Sequence, residues 1–431
     1  MKDFFEYLWD APVYTIFVAF LCAYPLASGL LSLVAALRFR AKGDAHFWYQ
    51  RRPDDLERAH VRFPVVSVVI PAHNEEEVIA AAIDGVLRLR WPELDVIVVD
   101  DCSTDGTVQA VRPFVAAGRV RLLRKSVNEG KSMAINDALP ACRGKLVLLM
   151  DADGVPDSSA LELMVPHFLD APAVAAVTGN PRVLNTRTFL TRLQAIEFSA
   201  SIGIQRRGDA IWGRLMTFSG LCALFDRDAV AALGGFAPDM ATEDIELTWR
   251  LQLEGREVVY EPAALFGMQA PETFRLLWRQ RTRWVRGLAQ VLRRHTLKAL
   301  RPAHWRMWPV LVMSWLSIIW AHALVLAVAI WLLSEPLGRP PPEIVPLLAL
   351  FGAVTITAGI AQAFAGMWLD HRYDPAIWRQ APWIAWYPSV YWILCVLLVV
   401  RGTLPGFLRT PKLSVWQIPR KALDTAGAER A

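Results

Sequence analysis

The chain is poor in the residues that make a disulfide scaffold or a metal-stapled module. Its 431 residues include only five cysteines, Cys22, Cys102, Cys142, Cys222 and Cys395, scattered and without paired metal-ligand spacing. That excludes a disulfide framework and a zinc module and points to reduced thiols. A basic block with interleaved aromatics is also missing and the net charge is a mild +5, so nucleic acid is excluded as a partner. A Walker loop is absent too: Asn128-Glu129-Gly130-Lys131-Ser132 lacks its spacing and first glycine, which excludes an ATPase. Lys131 could still neutralise a diphosphate or steady a base; a solvated lysine is an equal reading. Charge is scarce as well, 20% of residues against 54% hydrophobic and 18 tryptophans. This is too apolar for a routine soluble enzyme and too charged for a pure channel. A soluble domain joined to membrane helices fits, with basic flanks facing anionic lipid.

The apolar runs mark those helices. Residues 13–37 can cross a bilayer as one helix. Asp3, Glu6 and Asp10 precede the run, and Arg38, Arg40 and Lys42 follow it, the reverse of a secretory signal. The bias puts the C-terminal side in the cytoplasm. A membrane helix within 1–40 and a polar linker over 41–63 are therefore expected. Residues 308–333 and 344–369 are two further spans, and 383–400 is a shorter third, interrupted by Pro388. A loop with four prolines occupies 334–343. Three later spans would leave the 401–431 tail outside, although it carries Arg401, Arg409, Lys412, Arg420 and Lys421. The positive-inside rule opposes that, so either one segment does not cross or the tail is an exception.

Between the runs, strand and helix patterns alternate. Strands are expected at 65–70, 95–99, 120–123 and 146–150, and helices at 104–114, 131–139 and 158–168. Asn74 would cap an earlier helix carrying Glu75, Glu76 and Glu77 in its first turn. The alternation predicts an α/β domain over 64–270, with a largely parallel sheet and helices on both faces. Ligands of such sheets sit beyond the carboxyl ends of the strands. Two acidic clusters end strands there, Asp100-Asp101 and Asp151-Ala152-Asp153. Residues two apart on extended chain point the same way, so Asp151 and Asp153 can share one target. Carboxylates without cysteine or histidine suit Mg²⁺ or Mn²⁺.

The third cluster, Thr242-Glu243-Asp244, precedes a helix over 245–253 and a short strand. Amphipathic helices over 271–304 follow, carrying Gln280-Arg281-Thr282-Arg283-Trp284. They suit either the membrane interface or packing on the soluble domain. Asp244 is a candidate general base. In the plainer reading Glu243 and Asp244 cap a helix and Trp284 anchors the interface.

In order, Pro71-Ala72-His73-Asn74-Glu75, Asp100-Asp101, Asp151-Ala152-Asp153, Thr242-Glu243-Asp244 and Gln280-X-X-Arg283-Trp284 resemble the membrane-bound, processive family 2 glycosyltransferases. The likeness is nearest to the branch that makes poly-β-1,6-N-acetylglucosamine. It rests on Val177-Thr178-Gly179-Asn180-Pro181-Arg182, Phe218-Ser219-Gly220, Pro238-Asp239-Met240 and Pro271-Glu272-Thr273. One helix precedes the catalytic domain where that family has two. The resemblance implies a GT-A, Rossmann-like fold and an inverting, processive transfer of N-acetylglucosamine from UDP-N-acetylglucosamine onto a growing polysaccharide. It implies that Asp100 or Asp101 contacts uracil or ribose, and that Asp151 and Asp153 hold the metal on the diphosphate. Lys131 and Arg283 would serve the donor, and Asp244 would take the acceptor proton. Phe218, Ser219, Gly220, Glu243, Gln280 and Trp284 would bind the acceptor. It further implies a multi-pass protein of the bacterial inner membrane with a cytoplasmic catalytic domain, membrane lipid around it and a small membrane partner subunit. A hyaluronan- or cellulose-like product, or single-sugar transfer to a lipid carrier, stays open.

Overall fold

The structure, a computed structural model, describes residues 12–45, 63–334 and 344–409. Most of the linker over 41–63, the loop over 334–343 and the tail beyond 409 therefore lie outside the described residues. The strands are β1 (Val66–Ala72), β2 (Leu94–Asp100), β3 (Arg121–Arg124), β4 (Leu146–Leu149), β5 (Val155–Pro156), β6 (Val174–Val183), β7 (Ala223–Asp226) and β8 (Glu257–Met268). They form one sheet in the order β3-β2-β1-β4-β7-β6-β8-β5. The first four strands are parallel neighbours. Beyond β4 the sheet is mixed: β7 runs antiparallel to β4 and β6, and β5 antiparallel to β8, while β6 and β8 are parallel.

Helices α1 (Pro12–Ala45), α2 (Ile79–Leu87), α3 (Thr107–Ala116) and α4 (Lys131–Ala138) come first. They are followed by α5 (Ala160–Met164), α6 (Pro166–Asp170), α7 (Phe189–Glu197), α8 (Ile204–Trp212), α9 (Arg227–Ala232) and α10 (Glu243–Leu253). The last are α11 (Phe274–Ala299), α12 (Trp308–Ser334), α13 (Ile344–Asp370) and α14 (Trp392–Leu408). Alternate residues of the strands feed two cores, as the two-residue repeat of extended chain requires. Val66, Val68, Ile70, Val96 and Val98 meet α2 on one face. Val69, Ile97, Val99, Val147 and Leu149 meet α4, Leu247 and Leu251 on the other.

Several expectations need correction. Asn74 does not cap a helix: it has a φ of 57° and α2 starts only at Ile79, with no acid in its first turn. The side chain of Asn74 instead accepts the Thr104 amide, and Glu76 accepts that of Gly106, so these residues join two loops. The helix expected over 158–168 divides into α5 and α6 at Pro166, which has no amide to donate to the preceding turn. The strand after α10 is long, at 12 residues.

Among the described residues, four helical segments are long and apolar enough to cross a membrane: those of α1, α12 and α13 and the segment Tyr387–Leu408. The third late segment thus lies further along the chain than 383–400. Residues Pro375–Trp383 form a 3₁₀ turn and Tyr387–Tyr391 a π-turn around Pro388, and regular helix begins at Trp392.

The sheet domain and the long apolar helices are bolted together by buried charge. The carboxylate of Asp370, at the end of α13, meets Arg182 of β6 at 2.7 Å and Arg207 of α8 at 2.6 Å. The Arg40 guanidinium lies 3.7 Å over the Trp368 ring.

Candidate active site

The carboxyl ends of β1, β2 and β4 and the N-terminus of α10 surround one cleft, and Lys131 is its hub. Gly130, with a φ of 86°, supplies the left-handed turn from which α4 starts. That turn is pinned by Asp101, whose fully buried carboxylate accepts the amides of Glu129 at 3.1 Å and Gly130 at 2.7 Å. Lys131 Nζ then lies 2.6 Å from Asp151 and 3.4 Å from Glu243, and donates to the Gly220 carbonyl at 3.4 Å. Burial works against this ammonium, yet Asp151 and Glu243 outweigh it and raise its pKa.

Asp244 stands one residue into α10. Its Oδ2 accepts the Gly220 amide at 3.2 Å and its Oδ1 accepts the Ile245 amide at 2.9 Å. Burial and the neighbouring Glu243 raise the pKa of Asp244, and Lys131 pulls it back down. A β-carbon on Gly220 would run into the Lys131 ammonium and only touch Asp244, so glycine lets backbone, ammonium and carboxylate converge. Asp244 is thus a carboxylate whose proton affinity burial and one acid raise and one cation lowers, an arrangement that suits a general base.

Asp151 and Asp153 follow β4 in a tight turn closed by the Gly154 amide on the Asp151 carbonyl. Among the described residues no three histidine, cysteine, aspartate or glutamate side chains gather into a protein-only metal cage. A pair of hard carboxylates is instead what Mg²⁺ or Mn²⁺ uses when nucleotide phosphates complete its shell, so the donor set fits such an ion.

Asp100 accepts the Ser103 amide at 3.2 Å and faces Arg124 at 3.8 Å. Beside it, His73 meets the Asp101 carbonyl at 2.9 Å through Nδ1 and the Asn128 amide nitrogen at 3.1 Å through Nε2. His73 and Asn128 had no role from sequence. For His73 the available signal was its position just after a buried strand, in Pro71-Ala72-His73-Asn74-Glu75; for Asn128 it was its place in the loop before Lys131.

The acceptor candidates divide. Ser219 and Gly220 line the cleft, their backbone fixed by Thr178 Oγ1 and Asp244. Phe218 does not: its ring is fully buried against Phe236, so it has no face to offer a sugar. Gln280, Arg283 and Trp284 lie on α11, which Thr273 caps. Arg283 donates to the Ala241 carbonyl at 2.8 Å, Gln290 accepts the Ala241 amide at 2.9 Å, and His295 meets Glu246 at 3.0 Å. Gly287 lets the Thr242 side chain press against the α11 backbone, where any β-carbon would overlap it. The helix is thereby fastened to the segment that carries Asp244. Trp284 is half-buried with the Arg281 guanidinium 3.9 Å over its ring. Arg281 in turn meets the buried Glu197 at 2.5 Å, and the Tyr391 hydroxyl donates to the same carboxylate at 2.9 Å. Burial raises the Glu197 pKa, against the pull of Arg281. Sequence reasoning missed Arg281 and Glu197, since nothing in the chain order pairs them.

Residues 64–287 match the family model described as glycosyltransferase like family 2. The chain is 28% identical over 408 residues to the poly-β-1,6-N-acetyl-D-glucosamine synthase of Staphylococcus epidermidis, covering 93% of this chain and 97% of that one. It is 28% identical over 411 residues to the synthase of the same name from Staphylococcus aureus strain COL, with 94% and 98% covered. Among solved structures, it resembles a mannosyltransferase from Pyrobaculum calidifontis in complex with GDP-Man and Mn²⁺. The TM-score is 0.57 at 22% identity, over 88% of this chain and 99% of that one. This last likeness is one of fold.

Proposed function

The chain belongs to the family 2 glycosyltransferases, and from that premise we propose that it polymerises N-acetylglucosamine from UDP-N-acetylglucosamine into a β-1,6-linked exopolysaccharide of the kind that forms a biofilm matrix. The observation that carries the reading is correspondence over nearly the full length of both chains with synthases of that name.

In this reading Asp244 takes the proton of the acceptor hydroxyl as its oxygen bonds to the anomeric carbon. The bond from that carbon to the UDP oxygen breaks, inverting the centre. A sugar hydroxyl is a poor nucleophile, and a positioned base contributes roughly 10²–10⁴-fold. Lys131 and Arg283 face the charge that develops on the departing diphosphate, already held in place by Gly220 and Ala241. Asp151 and Asp153 would hold Mg²⁺ or Mn²⁺, which when bound neutralises diphosphate charge. Asp101 fixes the Lys131 turn, and Asp100 with His73 and Asn128 forms the wall nearest a uridine. Trp284 offers an apolar face to the acceptor ring, and Ser219, Glu243 and Gln280 offer polar contacts. The catalytic domain is on the cytoplasmic side of a bacterial inner membrane, consistent with Arg38, Arg40 and Lys42 after the first apolar run. A small membrane subunit completes the assembly.

The test is product size. Membranes containing the protein and given labelled UDP-N-acetylglucosamine should yield long polymer. Label that is only organic-extractable, one sugar per lipid, would replace this reading with transfer to a lipid carrier.

A further inference from the structure

We propose that α14 is not a fourth crossing but lies in the plane of the membrane, seated on the leaflet next to the catalytic domain, with the basic tail on the catalytic side. The inference uses the helix packing alone and does not depend on the sugar or the linkage.

Three contacts define the level at which the catalytic domain meets the spans. Ser314 of α12 touches Met216, Gln362 of α13 donates to the Ala200 carbonyl, and Gly208 packs on Ser32 of α1. Beyond that level each of these helices continues for about 20 residues, enough for the ~30 Å hydrocarbon core. Both ends of α14 stay close to the level. At its start Trp392 packs on Gly359 of α13, and the adjacent Tyr391 bonds to Glu197 of the catalytic domain. At its end Phe407 stacks on Trp315 of α12, ring centroids 5.3 Å apart. The Arg409 carbonyl accepts from Gln290, which is itself bonded to Ala241 beside the catalytic residues.

Between its ends α14 follows α11. Gly402 packs on Val285 and the Thr282 carbonyl, Gly406 packs on Ala289 and the Arg286 backbone, and Arg293 donates to the Phe407 carbonyl at 2.8 Å. The glycines allow this close approach. A crossing helix would leave α11 and separate its ends by the bilayer thickness. This one returns its C-terminus to the catalytic domain.

The opposite face is apolar and uncovered. Ile393, Leu397, Leu404 and Leu408 are between 48% and 70% exposed. Trp386 and Val390, just before the helix, extend the same exposed apolar surface. Arg401 is exposed too, and at headgroup level its long stem can reach water, whereas a crossing would sink it in hydrocarbon. Lys412, Arg420 and Lys421 then follow in the sequence, complementary to anionic headgroups. This geometry accounts for the charge of the tail without an exception to the positive-inside rule.

The test uses the full chain in sealed vesicles of known sidedness and a membrane-impermeant maleimide. Glu93→Cys reports the catalytic side and Glu343→Cys, which lies between α12 and α13 in the sequence, the opposite side, with the wild type giving the background of native thiols. Thr425→Cys should label from the same side as Glu93→Cys; labelling with the sidedness of Glu343→Cys would overturn the proposal. A second measurement is independent of the tail: nitroxide depth at Ile393→Cys and Leu404→Cys in reconstituted protein. The two depths should agree within about one helical turn, ~5 Å. A difference of about 16 Å, their separation along the axis, would mean a crossing.

Discussion

Replacing Lys131 by methionine removes the cation at the centre of the site while keeping an unbranched side chain. Its ammonium lies 2.6 Å from Asp151 and 3.4 Å from Glu243, and it offsets the two effects, burial and Glu243, that raise the Asp244 pKa. A nearby cation favours the ionised form of a carboxyl group, so removing Lys131 should raise the pKa of Asp244 further. A general base works only when ionised, so activity is lost as pH falls through its pKa. The acid limb of the rate profile should therefore move to higher pH in the variant. The assay is UDP release against pH in membranes from both proteins, with UDP affinity measured separately. An equal loss of rate at every pH, with the limb unmoved, would refute the coupling and leave Lys131 as a donor contact only.

Gly287→Val forces a side chain into Thr242 and should separate α11 from the Asp244 segment. Polymer synthesis should fall at least tenfold while UDP binding, which depends on the far edge of the cleft, is retained in an equilibrium assay. Asp370→Asn leaves the Arg207 charge buried without its counter-ion and Arg182 with only Asp374, at 3.5 Å. Loss of one partner from such a cluster costs about 3–5 kcal/mol, and thermal unfolding in detergent should show a clearly lowered midpoint. Chelation of divalent ions should abolish sugar transfer and weaken UDP binding, and either Mg²⁺ or Mn²⁺ should restore both; transfer unchanged in excess chelator would remove the ion from the site.

The parts of the fold that could be read in the chain were those where local pattern and burial agree. β1 and β2 are rich in β-branched residues, β4 is a leucine and valine run, and all three are buried on both faces, so composition alone marks them. β6 was missed because glycine, asparagine, proline and arginine interrupt it; these are tolerated since Asn180 bonds to the Pro262 carbonyl and Arg182 to Asp370. β7, four residues long, carries too little pattern to stand out. In the site, Asp151, Glu243, Asp244 and Lys131 were each legible as strand-end or helix-start residues. Their convergence on one ammonium was not, because it depends on Gly220, which contributes only backbone bonds and the side chain it lacks. Phe218 misled because aromatic residues serve cores and sugar sites alike. Arg281 lay unremarked between residues assigned to ligands, since its partner Glu197 is far away in sequence and close only once α7 and α11 pack.

The central claim is that Asp244 is the base of a polymerising transferase. Membranes containing Asp244→Asn, which keeps shape and loses the proton acceptor, should be compared with the native protein for incorporation of labelled N-acetylglucosamine into acid-insoluble product. The native product should be long and digestible by a β-1,6-N-acetylglucosaminidase, and the variant should bind UDP and make none. Normal incorporation by Asp244→Asn would contradict the account.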